Sequence, residues 1–215
     1  YIYGISAILL IPLILVSAYW LKSIKAEPPS HTKIIETLWS VWKHKDIRFG
    51  MLAHYILQFF YATMVIYLPL YLIHTVGFNW SELGALFTIM LLPFVLFEMP
   101  VGWLADKKYG EKELMIFGFI ISAVAAFLIS IPQTPTFFIW AVILFSSRVG
   151  ASIAEITTET YFFKHVKGKD SDVISLFRMS RPLSYIVAPT IATISLCFCG
   201  MSTICIVLAI ITILG

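Results

Sequence analysis

Unbroken apolar runs, most of them about 18 residues or longer, dominate this chain and leave it few ways to fold. A run of that length crosses roughly 30 Å of hydrocarbon. Lipid offers no partner for a free amide or carbonyl, so each run must satisfy its backbone within itself, as an α-helix. The period-two alternation of a membrane β-barrel is absent. Apolar residues make up 60% of the 215 and charged residues 13%, which sets the chain far from the soluble globular norm.

Six spans can be read: Tyr1–Leu21, Phe49–Val76, Glu82–Leu104, Leu114–Ile131, Phe137–Phe163 and Val173–Cys199. A seventh run, Ser202–Gly215, has too few residues to cross a bilayer untilted. The first span lacks the basic start and small-residue cleavage site of a signal peptide, and both ends of the chain read as edges of a fragment. Cys197, Cys199 and Cys205 fall in or beside apolar runs. With no histidine or acidic neighbour to complete a metal site, they read as packing residues.

Lysine and arginine mark the cytoplasmic side of membrane helices. Lys22, Lys25, Lys33, Lys43, Lys45 and Arg48 lie between spans one and two. Lys107, Lys108 and Lys112 lie between three and four, and Lys164, Lys167 and Lys169 between five and six. Arg178 and Arg181 sit just inside the sixth span. The intervening loops, Gly77–Ser81, Pro132–Thr136 and Gly200–Ser202, hold none. Only Arg148 departs from this alternation, which expects a multi-pass protein of the cell membrane with its basic loops in the cytoplasm.

The polar linker, residues 22–48, contains an amphipathic helix. Ser30 can cap it after Pro28 and Pro29, and Ile34, Ile35, Leu38, Trp39, Val41 and Trp42 fall largely opposite Lys33, Glu36, Thr37, Ser40 and Lys43. The tryptophans and lysines favour a helix lying in the headgroup layer. The alternative is a soluble helix packed on the underside of the bundle.

The most informative segment is the charged turn Gly102-Trp103-Leu104-Ala105-Asp106-Lys107-Lys108-Tyr109-Gly110-Glu111-Lys112-Glu113, squeezed between two apolar runs. Gly102, Leu104, Asp106, Lys107, Gly110 and Lys112 match by type the pattern G-x-L-x-D-[KR]-x-G-x-[KR], which resembles the loop signature of the major facilitator superfamily of transporters. One residue more than usual separates Asp106 from Gly110, leaving open which of Lys107, Lys108 and Lys112 fills each role. The span order is similar to helix six, the central loop and helices seven to twelve of that family. Arg148-Val-Gly150 within a span, and Arg181-Pro182 followed by Ala188-Pro189, are softer likenesses.

The resemblance implies an all-α membrane protein: a polytopic bundle with a six-helix half, residues 49–215, preceded by the single span 1–21 and the linker. It also implies a missing N-terminal half of the same chain as partner. The turn is expected to act as a latch on the cytoplasmic side, holding the outward-open state. In this reading Gly102 lets two helices approach closely. Asp106 accepts hydrogen bonds at a neighbouring helix start, and the lysines reach acidic helix ends. Glu98, two turns before Asp106, is placed with the latch, as are Glu159 and Arg181. The alternative is a solvated loop obeying the positive-inside rule, which would not need the glycines and the aspartate.

Arg148 lies about 11 residues, hence ~16 Å, from the outer end of its helix. A charge that deep costs several kcal/mol unless partnered or wet, so it marks a functional position. Ser152, Glu155 and Glu159 follow at i+4, i+7 and i+11 on one stripe. Arg148 is expected to bind an anionic substrate or hold a counter-charge, and Glu155 to titrate a proton. Pairing of Glu155 or Glu159 with Arg181 or Lys108 is the structural alternative, and it is the preferred one for Glu159. His54, Gln58 and Tyr61 form a second polar stripe expected to face a cavity, although a lone histidine is more often a helix contact. Tyr55, Tyr67 and Tyr71 read as packing or interface aromatics.

The function expected is secondary transport of a small solute by alternating access, with proton coupling resting on Glu155 and His54. The alternative is a receptor or channel on the same bundle. No H-E-x-x-H helix, G-x-S-x-G turn or paired-aspartate motif occurs, so no enzyme is expected. Nor is a metal, a cofactor or a nucleic-acid partner.

Overall fold

The computed structural model describes residues 2–20, 34–107, 110–131, 134–166, 171–198 and 201–213. The chain divides into two compact units, Tyr1–Lys33 and Ile34–Gly215. The first holds α1, Ile2–Trp20, apolar on every side, with Pro12 inside it and the Ser17 hydroxyl donating to the Ile14 carbonyl at 2.9 Å. A helix apolar all round is suited to lipid on every side.

The second unit, in its described residues, is built of helices joined by short non-helical connections. It contains α2 (Ile34–Lys43), α3 (Lys45–Tyr71), α4 (Trp80–Lys107), α5 (Glu111–Ser130), α6 (Phe137–His165), α7 (Ser171–Phe198) and α8 (Met201–Ile213). By length and composition α4, α5, α6 and the continuous stretch Lys45–Val76 can each cross a membrane. This is an all-α membrane protein. Each of the six expected runs coincides with a helix in its described residues, and the differences lie at the helix ends. α4 begins at Trp80 because Asn79 and Glu82 close a reciprocal cap: Asn79 Oδ1 accepts from the Glu82 amide at 2.9 Å and Glu82 Oε2 from the Asn79 amide at 3.0 Å. α3 begins within the expected linker, where Asp46 in its first turn complements the helix dipole.

At the other end of α3 the backbone widens into a π-turn, Leu72–Val76, three residues after Pro69. Proline cannot donate to the ladder, and the chain recovers by a wider turn. Gly77, at φ 92°, stops it, with the amides of Gly77 and Phe78 both donating to the Leu72 carbonyl at 3.0 Å. The second glycine of positive φ, Gly110, opens α5 at φ 61° and ψ 153°, a conformation essentially closed to side chains. Gly110→Ala is expected to cost about 1–3 kcal/mol, read as a lowered thermal unfolding midpoint in detergent. An unchanged midpoint would show that this turn relaxes.

α6 is the central helix, packing against α5, α4 and α3, while α5 also packs against α8 and α3 against α7. The α5–α6 crossing is the tightest. A Cβ on Gly118 would lie 2.7 Å from the Ala154 nitrogen and 2.8 Å from the Gly150 oxygen. One on Gly150 would lie 2.6 Å from the Ser122 nitrogen and 2.7 Å from the Gly118 oxygen. Backbones touch here because both helices are bare, the small-residue logic of membrane helix pairs. Gly102, expected to do this, does not: a Cβ there would meet nothing within 4 Å. Its helix stands off at that point, for α4 meets α5 only slightly.

α2 combines both expectations for the linker. Val41 and Thr37 are buried against the bundle, Val41 in a cluster with Ile47, Phe162, Val166, Val173 and Phe177. Ile35, Leu38, Trp39 and Trp42 remain exposed on a separate arc, and Glu36, Ser40 and Lys43 occupy a third. A helix with one side to protein, one to apolar surroundings and one to water suits the membrane interface. Arg48 steadies it, its guanidinium 5.6 Å from the Trp42 ring centre and its Nη1 donating to the Trp42 carbonyl at 3.2 Å.

Candidate functional site

The site is built by α3, α4, α6 and α7 around a cavity of about 360 Å³. Gln58 and Tyr61 of α3, Arg148 and Glu155 of α6, and Arg181 and Tyr185 of α7 supply its polar lining. Two further cavities adjoin it, one of about 420 Å³ that includes His54 and Glu159 and one of about 160 Å³ that includes Glu98 and Ser152. All three share Glu155. Both predicted polar stripes thus face interior space, and the physical reason is the one given for lipid: a polar side chain turned outward would have no partner.

Arg148 is 4% exposed, and its Nε has no hydrogen-bond partner. Its guanidinium stands 5.4 Å from the centre of the Tyr61 ring, a cation–π contact. No carboxylate lies within 4 Å of it among the described residues. The Tyr61 hydroxyl donates to Glu155 Oε2 at 2.9 Å and lies 3.3 Å from the Ala151 carbonyl. One tyrosine therefore links the two α6 charges, its ring facing the cation and its hydroxyl the carboxylate. Sequence spacing placed Tyr61 on the right face but could not pair it with a residue on another helix.

His54 and Gln58 are buried, their Nε2 atoms 3.4 Å apart. The His54 ring stacks on Phe177 with centroids 3.9 Å apart, and its Nδ1 has no partner. Ser152 spends its hydroxyl on the Val149 carbonyl at 3.0 Å, within its own helix. The alternative reading, Glu155 or Glu159 paired with Arg181, finds no such pair among the described residues, which show no cation within 4 Å of either carboxylate.

The latch divides in the structure. Glu98, Glu159 and Arg181, grouped with it from the sequence, line the cavities around Glu155 instead. Turn residue Lys108 and the Asp106 side chain lie outside the described residues. Lys107 sits 5.3 Å from the ring centre of its own helix's Trp103. Lys112 Nζ lies 3.6 Å from Asp46 Oδ1 at the start of α3. Asp46 also accepts from the Tyr161 hydroxyl at 2.6 Å, and Lys112 lies 5.1 Å from the centre of the Tyr161 ring. Beside them Lys164 pairs with Glu111. These contacts tie the starts of α3 and α5 to the end of α6. Asp46, Glu111, Tyr161 and Lys164 were missed because partners distant in sequence carry no local signal. An acid in a helix's first turn was the available hint.

A family model described as Major Facilitator Superfamily matches residues 74–215 of the 215. The chain belongs to that superfamily. Its members are membrane transporters, and the match includes α4 to α8 whole, and with them the charged turn and the α6 stripe. The superfamily resemblance drawn from a dozen turn residues therefore holds over most of the chain. No curated protein matches it. Arg148 and Glu155, two of the six polar residues lining the main cavity, come from α6, the helix with the largest buried share of the four spans.

Proposed function

We propose that this protein moves a small solute across the cell membrane by alternating access, holding it in the cavity around Arg148 and Glu155. The observation that carries this is a buried guanidinium, with no carboxylate within 4 Å among the described residues, and a carboxyl on the same helix, both facing interior space. Such charges are costly in a membrane and persist where they handle solute or ions. An N-terminal half of the superfamily's kind would close the cavity from the opposite side, as the two halves of such transporters do around a midplane site.

In this reading Glu155 carries the coupling proton, since among the described residues the Tyr61 hydroxyl is its hydrogen-bond donor and three cavities reach it. The end of the bundle bearing α2 faces the cytoplasm, by its basic residues. The Asp46–Lys112 and Glu111–Lys164 pairs hold that end together within this half, as support for the charged turn.

Alternating access has a direct test that needs no substrate. Val65, exposed and on the cavity lining, is replaced by cysteine in full-length protein whose native cysteines are serine. An impermeant maleimide applied to each side of oriented vesicles is expected to label Val65→Cys from both. Labelling from one side alone would point to a receptor. Labelling from both sides together with steady ion conductance would point to a channel.

A further inference from the structure

We infer that the cavity of about 360 Å³ takes an amphipathic organic anion, an acidic head on a compact apolar body, with Arg148 binding the head. This rests on the transport reading above and names its substrate class.

Consider first the unmatched donors. Arginine carries five N–H donors in a planar fork and keeps its charge. Arg148 meets an aromatic face and no carboxylate, and its Nε is unpartnered. A carboxylate, whose two oxygens match that fork, is the group such an arrangement lacks. Glu155 is not that group here: its Oε2 takes the Tyr61 hydroxyl, and Tyr61 stands beside Arg148.

Charge on the lining points the same way. Two guanidiniums, Arg148 and Arg181, face one carboxyl, Glu155, leaving a single positive charge. A cationic solute would be repelled by both arginines. The rest of the wall selects the body. Met64 and Val65 of α3 and Phe87, Met90, Leu91 and Phe94 of α4 supply its apolar lining. Methionine and aromatic side chains adapt to irregular apolar shapes. A sugar would need a polar partner for each hydroxyl, and Gln58, Tyr61 and Tyr185 are too few. A purely apolar solute would leave the guanidinium unpaired.

The test uses full-length protein in lipid nanodiscs and four probes: phenylbutyrate, its amide, the corresponding amine, and acetate. Competition against radiolabelled phenylbutyrate measures each. The carboxylate is expected to bind at least about tenfold more tightly than the amide, the difference expected for hydrogen bonds to a charged group. The amine and the bodiless acetate should compete more weakly still. Arg148→Gln should erase the preference for carboxylate over amide, and Arg148→Lys should keep part of it. Equal binding of amide and carboxylate, stronger binding of the amine, no binding of phenylbutyrate in the millimolar range, or an undiminished preference in Arg148→Gln would each overturn the inference. Should Arg148→Gln fail to fold, the wild-type series still decides. If these results go against the anion while Val65→Cys is still labelled from both sides, the substrate class falls and transport stands. One-sided labelling removes transport itself.

Discussion

Gly150→Ala is expected to destabilise the bundle by about 1–3 kcal/mol, the range for overpacking a tight interior, and to disable the site with it. The added carbon would lie 2.6 Å from the Ser122 nitrogen and 2.7 Å from the Gly118 oxygen. Both are backbone atoms, which cannot swing aside as a side chain would. The two helices must separate, and membrane helices without a hydrophobic drive between them depend on this close fit. Arg148 and Ser152 sit two residues either side of Gly150, so separating α5 from α6 also moves the cation away from Tyr61. Gly118→Ala, facing Ala154 at 2.7 Å, should behave alike. The control is Gly84→Ala in α4, where nothing lies within 4 Å. It should be neutral or gain roughly 0.5–1 kcal/mol from helix propensity. Unfolding midpoints in detergent for the three variants make the comparison. If Gly150→Ala were as stable as Gly84→Ala, the described crossing would be wrong.

The second large effect concerns coupling. For any solute the reconstituted protein accumulates, Glu155→Gln is expected to abolish accumulation against a gradient while leaving exchange of labelled for unlabelled solute. Glutamine keeps the shape and can still accept from Tyr61, so packing is preserved and only the exchangeable proton is lost. Tyr61→Phe should separate the roles further. It removes the donor to Glu155 but keeps the ring beside Arg148, so coupling should weaken more than exchange. Loss of both accumulation and exchange in Glu155→Gln would assign this carboxyl to packing rather than to protons.

Several features were legible before any coordinates. Each apolar run became a helix because hydrocarbon forbids an unsatisfied backbone, a constraint that acts on each segment alone. The polar stripes of α3 and α6 were legible for the same reason, since helical spacing puts Arg148, Ser152 and Glu155 on one side whatever surrounds them. The sequence also carries a G-x-x-x-S run from Gly118 to Ser122 and a G-x-x-x-A run from Gly150 to Ala154, but spacing alone does not say which small-residue faces meet, and only the structure shows these two touching. Gly102 invites the same argument and stands in open space. A glycine permits close approach without requiring it.

What the chain's order of residues determined was therefore local to one helix: its existence, its apolar character and the face its charges share. Tertiary structure alone decided which faces meet. It set Tyr61 between Arg148 and Glu155, moved Glu98, Glu159 and Arg181 from the turn to the cavities, and joined Lys112 to Asp46. The reason is physical. Helix formation in a membrane is enforced locally by backbone hydrogen bonding, whereas the pairing of helices depends on the fit of whole surfaces far apart in the chain.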